Sequence, residues 1–121
     1  MSKQKVLFGI GTDIVGVDRF KSKPLDKNLN FYKKIFSNSE INYCKKFRSS
    51  YEHFAGKFAI KESVIKAIPE KISFLDITTS HSKNKPIISL KSELNKKYEF
   101  LVSVSHEKNF AIAFVVMFKI E

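Results

Sequence analysis

VLFGIGTDIV, residues 6–15, is the stretch on which the fold class turns. It is apolar and β-branched and reads as a strand, loosened by Gly9 and Gly11. Alternation puts Leu7, Gly9, Gly11 and Asp13 on one face, so two glycines leave that face open beside a carboxylate. Paired glycines in a strand invite a dinucleotide-binding fold. That fold needs a third glycine at position 14, where Ile14 stands, and an alternation of strands and helices that the chain lacks. A doubly wound sheet is rejected.

Outward from this strand, Asp18 to Leu25 is basic and stops at Pro24, which predicts a short helix or turn. A helical pattern covers Asn28 to Phe36, with Phe31 and Ile35 four residues apart. Ser37-Asn38-Ser39-Glu40 fits a capping box. Behind it Ile41, Cys44, Phe47 and Tyr43 form one stripe of a helix ending near Arg48, broken by Ser49-Ser50. A longer helix from about Glu52 to Ile68, closed by Pro69, has Phe54, Phe58, Ile65 and Ile68 as its buried stripe. After Pro69 the period changes. Ile72 to Thr79 reads as a strand, His81 to Lys85 as a polar turn and Pro86 to Leu90 as its partner, with residues 80–85 the one flexible loop. One or two helical turns over Ser92 to Lys97 precede strands at Phe100 to Ser105 and Phe110 to Phe118, joined through His106 to Asn109. The expected architecture is α+β in a single domain over residues 1–121, an antiparallel sheet packed on a long central helix with shorter helices.

Hydrophobic residues make up 43% of the 121, with 12 Phe and 4 Tyr, enough to fill a core and exclude general disorder. No run approaches the roughly 18 apolar residues of a membrane span. MSKQKVLF lacks a signal-peptide core and is too short for a transit peptide, so a cytoplasmic protein with no membrane partner is expected. Cys44 is the sole cysteine and has no disulfide partner in the chain, which suits a reducing compartment. Basic residues number 22 against 12 acidic, giving +10, and only Arg19 and Arg48 are arginines. Compositional bias explains such a lysine excess as readily as function does. Functionally such a surface would attract a polyanion, a phosphorylated ligand or an acidic protein, and charge alone does not choose among them. Scarce arginine suits an acidic protein better than base reading.

Three residues stand out chemically. Glu62 falls between Phe58 and Ala55 at the edge of the buried stripe, beside the small Ala55 and Ala59, with Lys66 one turn on. Alone, this is an ordinary i,i+4 pair worth about 0.3–0.5 kcal/mol. Asp13 ends an apolar strand, where aspartate is usually a cap or turn former, or else a ligand for a hard metal. His106 shares parity with Phe100, Val102 and Val104 and leaves the sheet at the turn. Its neighbours Ser105 and Lys108 suit a phosphate. The chain has no P-loop, HExxH, zinc cluster or GxSxG element.

GIGTDIVGVDRF (9–20), FSNSEINYC (36–44), FAGKFAIKESVIKA (54–67) and VSVSHEKNFAIAFVV (102–116) together resemble the holo-acyl-carrier-protein synthases, the small class of 4′-phosphopantetheinyl transferases. Order and spacing match over nearly the whole chain. The resemblance implies transfer of phosphopantetheine from coenzyme A to a serine of apo-acyl-carrier protein, releasing adenosine 3′,5′-bisphosphate for fatty acid biosynthesis. It implies Mg²⁺ bound by Asp13 and Glu62, with Lys66 and His106, and also Lys61 and Ser105, on the coenzyme's phosphates. Glu62 is the expected base, directly or through a water, while Lys66 and His106 complete the catalytic group. Arg19, with Lys21 and Lys23, would meet the acidic carrier protein. A related class carries two tandem copies of the fold, so a single copy implies a homotrimer with sites at its interfaces.

Two departures from the family pattern are Gly16, where an acidic residue is usual, and Lys57, where arginine is usual. A small basic nucleic-acid-binding domain is the alternative from another class. Against it, phenylalanines fall at core periods and no RNP or zinc pattern is present. A catalytically dead scaffold of the same fold is opposed by the intact Asp13, Glu62, Lys66 and His106.

Overall fold

A computed structural model of the chain describes residues 8–120. Val6 and Leu7 of the first-strand reading, with the rest of MSKQKVL, lie outside it. Strand β1 (Phe8–Gly16) is followed by the short helix α1 (Asp18–Lys21), a 3₁₀ turn at Leu25–Lys27 and α2 (Leu29–Lys33). Then come α3 (Asn38–Lys45) and the 18-residue α4 (Ser50–Ala67). A second 3₁₀ turn (Phe74–Asp76) leads into β2 (Ile77–Ser82), β3 (Lys85–Leu90), α5 (Leu94–Lys97), β4 (Tyr98–His106) and β5 (Phe110–Lys119). The α+β expectation holds. The strands form two antiparallel sheets: a three-stranded one ordered β1-β5-β4, and the β2-β3 hairpin. No helix among the described residues is long and apolar enough to cross a membrane.

The central helix is more enclosed than a single apolar stripe predicts. Every residue from Phe54 to Lys61 is buried, because β1 and β5 cover one side of α4 while α1, α3 and β2 pack around the rest. An enclosed helix has no solvent face on which to place its polar residues, so the lysines at 57 and 61 go inward. Beneath the helix, side chains at positions 9, 11, 13 and 15 of β1 point inward, and those at 8, 10, 12 and 14 outward.

Two glycines set how close β1 comes. A Cβ on Gly11 would fall inside the carbonyl oxygen of Ser63, and one on Gly9 inside that of Ala67. Strand and helix therefore touch backbone to backbone, and the two contacts fix their register. Gly16 faces open space, so nothing steric explains the glycine there.

Local chemistry revises several boundaries. The capping box at α3 forms as read, with the Glu40 carboxylate accepting from the Ser37 N–H at 2.8 Å. Ile72 to Asp76 does not join the strand. The Asp76 carboxylate accepts from the Ser73 N–H at 2.9 Å and holds a 3₁₀ turn instead. The stretch read as a flexible loop at 80–85 is strand up to a two-residue turn. Lys83 and Asn84 have φ of 51° and 67°, the left-handed pair of a type I′ hairpin, which asparagine tolerates better than most residues.

Gly11→Ala is expected to destabilise the protein by about 3 kcal/mol or more, since backbone cannot give way as a side chain can. Urea unfolding checks this; an unchanged midpoint would show that β1 does not press on α4.

Candidate active site

The register of β1 on α4 brings the first group of residues together. Gly9 meets Ala67 and Gly11 meets Ser63, so the strand and helix run antiparallel. Two strand residues span about 6.6 Å and four helical residues about 6 Å, so Asp13 lies beside the turn Ala59–Glu62. Lys66 confirms the juxtaposition: its Nζ donates to the Thr12 carbonyl at 2.8 Å and lies 3.2 Å from Asp13 Oδ1. Glu62 stands one turn before Lys66 and is half-buried. None of the ion pairs between described residues includes it. Asp13 and Glu62 are carboxylates of the kind that suits a hard divalent cation, on adjoining elements at the β1–α4 contact. No group of three His, Cys, Asp or Glu among the described residues is spaced to hold a metal alone, so an oxygen-rich ligand would have to complete the shell.

Lys61 is the clearest correction. It was expected on the coenzyme's phosphates, but its side chain is fully buried and its Nζ donates to Glu40 Oε1 at 2.7 Å, the Ile35 carbonyl at 2.8 Å and the Phe74 carbonyl at 3.1 Å. All three of its N–H bonds are used, so it has no reach outward. Glu40 also accepts from the Thr79 N–H at 2.7 Å and the Thr79 hydroxyl at 2.8 Å. Burial opposes the Glu40 charge, but Lys61 and the Ser37 and Thr79 donors more than offset it and hold the carboxyl below its ordinary range. Lys57 joins the same network, its Nζ donating to the Thr79 hydroxyl at 2.8 Å.

His106 is the last residue of β4 and points inward beneath the first turns of α4, its Nδ1 3.1 Å from Glu52 Oε1. It lines a cavity of about 310 Å³ with Tyr43, His53, Lys57, His81, Asn84 and Pro86. Ser105, expected beside it on phosphate, has the opposite strand parity and lies on the outer face with Leu101 and Ser103. Arg19 is exposed on α1 with its guanidinium 5.1 Å above the Phe58 ring; Lys21 and Lys23 are exposed nearby. Cys44 is no nucleophile: burial pushes its thiol up to about 12. Sequence reasoning passed over His53 and His81, and it treated Lys57 only as a departure. The available signal was two lysines four apart inside FAGKFAIK, too apolar a setting for solvated charges.

Residues 9–115 match the model of the 4′-phosphopantetheinyl transferase superfamily. The chain belongs to this family. It is 39% identical to a holo-[acyl-carrier-protein] synthase of Ehrlichia chaffeensis, over 93% of this chain and 98% of that one. The crystal structure of the Bacillus anthracis holo-(acyl-carrier-protein) synthase in complex with CoA (3′,5′-ADP) superposes with a TM-score of 0.77 at 33% identity, covering 91% of this chain and 95% of the other. The Helicobacter pylori enzyme in complex with coenzyme A gives 0.76 at 38% identity, covering 89% and 98%. Within this superfamily member Glu62 and Lys66 sit on α4 itself, Asp13 on β1 and His106 at the end of β4.

Glu40→Gln leaves Lys61 charged and buried, and about 3–5 kcal/mol of stability should be lost, with part recovered in Glu40→Gln/Lys61→Met. Because the folded Glu40 carboxyl titrates low, its contribution is complete above about pH 5 and disappears as pH falls through the folded value. Urea midpoints measured from pH 7 to 3 should therefore fall more steeply for the wild type than for the double variant.

Proposed function

We propose that this member of the superfamily is a holo-acyl-carrier-protein synthase. It transfers 4′-phosphopantetheine from coenzyme A to a serine of an apo-acyl-carrier protein, leaves adenosine 3′,5′-bisphosphate and serves fatty acid biosynthesis in the cytoplasm as a single-domain subunit. The observation that supports this is the pairing of Asp13 with Lys66 across the β1–α4 contact, with the half-buried Glu62 one turn before Lys66 on α4. Mg²⁺ held by Asp13 and Glu62 would offset charge on the diphosphate oxygens.

The chain's own residues perform the remaining work. The serine Oγ–phosphorus bond forms as the bond from that phosphorus to the bridging diphosphate oxygen breaks, and the leaving bisphosphate takes the electron pair. Glu62 accepts the serine proton. Lys66, paired in the free protein with the partly exposed Asp13, turns its ammonium to the phosphate, and His106 orients the substrate by hydrogen bonding. Arg19, Lys21 and Lys23 on the exposed α1 side meet the acidic carrier protein, giving attraction and orientation rather than a buried lock.

We further propose a homotrimer. At about 100° per residue, Glu62 and Lys66 lie roughly 140–180° around α4 from His53 and Lys57, so one chain presents its two groups on opposite flanks of the helix. A neighbour's flank completes each site. The surface for that contact is the outer face of the three-stranded sheet, where Phe8, Ile10, Ile14, Leu101, Ile112 and Phe114 are all exposed, Phe8 by 69%. An apolar patch of this kind normally marks a protein interface.

With apo-acyl-carrier protein, coenzyme A and saturating Mg²⁺, mass spectrometry should show the phosphopantetheine adduct, and Glu62→Gln should slow its formation by about 10²-fold or more. Near-normal turnover of that variant would remove Glu62 from both roles. Light scattering should give a trimer, which Ile112→Lys/Phe114→Lys dissociates with loss of turnover. A wild-type monomer of full activity would overturn the trimer.

A further inference from the structure

The exposed cations Arg19, Lys21 and Lys23 lie on and just after α1, a helix of only four residues. One helical turn does not persist by itself in water, because its nucleus costs more than the first hydrogen bond returns. Whatever gives this segment a fixed shape is therefore tertiary. Just before it, the Val17 N–H donates to the Asn109 carbonyl at 2.8 Å. Its middle is held by the fully buried Phe20, whose ring packs among those of Phe31, Tyr32, Phe36, Phe54 and Phe58. Residues 21–24 are all exposed and have no such anchor. There two tyrosine hydroxyls take over. Tyr32 Oη, from α2, donates to the Lys23 carbonyl at 2.7 Å and lies 3.0 Å from the Phe20 carbonyl. Tyr51 Oη, from the first turn of α4, accepts from the Leu25 N–H at 3.0 Å.

We propose that the hydroxyls of Tyr32 and Tyr51 are positioning groups for partner docking: they strap residues 20–25 into the shape in which Arg19, Lys21 and Lys23 meet an acidic protein. The inference rests on the holo-acyl-carrier-protein synthase reading only for the identity of that partner. Packing does not call for a hydroxyl at position 32. The rings around Tyr32 are those of Phe20, Phe31, Phe36 and Phe54, and one more phenylalanine would complete the cluster equally well. What the oxygen adds is a bond to the backbone of the basic segment.

The cations themselves are placed to match. The Lys23 ammonium lies 5.2 Å from the centre of the Phe31 ring, so this residue is held at both ends, its carbonyl by Tyr32 and its charge by Phe31. Arg19 is seated on Phe58 in the same manner. Ordering a loop and its long side chains opposes binding, and a strap formed beforehand removes the backbone share of that cost. Burial, with Tyr51 close by, raises the Tyr32 value far above the ordinary tyrosine range, so this hydroxyl keeps its proton and its bond at neutral and mildly alkaline pH. Neither tyrosine carries charge, and none of residues 20–25 belongs to the group assigned to the coenzyme. Their effect is therefore confined to the protein partner.

Tyr32→Phe, Tyr51→Phe and the double variant keep every ring and lose only the hydroxyls. In the intact protein each single variant should raise the KM for apo-acyl-carrier protein, and its calorimetric Kd, about three- to tenfold. The kcat and the KM for coenzyme A should not change. Once freed at one hydroxyl the segment gains little from losing the second, so the double variant should lose clearly less than the product of the two single losses. Hydrogen exchange of the free protein should show the Leu25 amide less protected in Tyr51→Phe. Circular dichroism and the melting temperature verify folding; where Tyr32→Phe is unfolded, the half-buried Tyr51 decides through its own variant. Unchanged Leu25 exchange, or faster exchange with unaltered carrier-protein affinity, overturns the strap and leaves the enzyme reading intact. A loss shared by kcat or by the KM for coenzyme A also overturns it, since that is what general loosening gives. A wild type that binds the carrier protein but transfers nothing overturns the enzyme reading, and the variants' Kd values then decide the strap. Absence of carrier-protein binding by the wild type overturns both.

Discussion

The approach of β1 to α4 at Gly9 and Gly11 governs everything built on this helix. Only hydrogen at those two positions lets the strand backbone lie against the carbonyls of Ser63 and Ala67. Contact at that range has a functional consequence. A strand held off by methyl groups would carry Asp13 away from the helix, and Lys66 would no longer span from α4 to Asp13 and the Thr12 carbonyl. Ser63, also at the contact, turns its hydroxyl back onto the Ala59 carbonyl at 2.7 Å, so the seam holds no unsatisfied hydroxyl. The pairing of Asp13 with Lys66 is thus a product of packing, set by what is missing from the side chains on either side of it.

On its other flank α4 is secured by charge. Glu40 begins as a helix-capping residue and ends as the hub of a buried network joining α3, α4 and β2 through Lys61, Thr79 and Lys57. An apolar replacement of equal volume would serve stability at least as well, since desolvating two ions consumes most of what their attraction returns. What the network supplies is placement. It fixes one ammonium where no solvent reaches and holds a second at the wall of a cavity, short of negative charge by one unit.

Most of the fold was legible because periodicity reports burial. The alternation in 100–118, the capping box and the proline-closed helix each encode their element locally. Where the reading failed, a long-range fact had intervened. Ile72 to Asp76 looks like strand until Asp76 is seen to cap the Ser73 turn, and 80–85 looks like loop because nothing in its composition announces left-handed lysine and asparagine. The site divides in the same way. Asp13, Glu62, Lys66 and His106 stand out in the sequence through the glycines, small residues and strand parity around them, while their roles follow from the family resemblance. Lys61 was misplaced because adjacency to Glu62 in sequence is a separation of about 100° on a helix, enough to turn one side chain outward and its neighbour into the core. Ser105 has the opposite strand parity to His106, and the two meet only at the rim of one surface recess at the β4–β5 turn.

The same angular argument explains why so small a chain has an apolar outer sheet face. A helix buried along most of its length can expose functional groups only along its flanks, and here the carboxylates and the histidine cavity emerge on opposite ones. Threading one extended ligand around α4 within a chain would require it to cross either the β1 seam, which is closed, or the Glu40 network, which is buried. In the proposed homotrimer a second copy alongside would join a carboxylate flank to a cavity flank without opening either. On that proposal the exposed phenylalanines and isoleucines of β1 and β5 would be the adhesive, letting symmetry supply the half of the site that packing withholds.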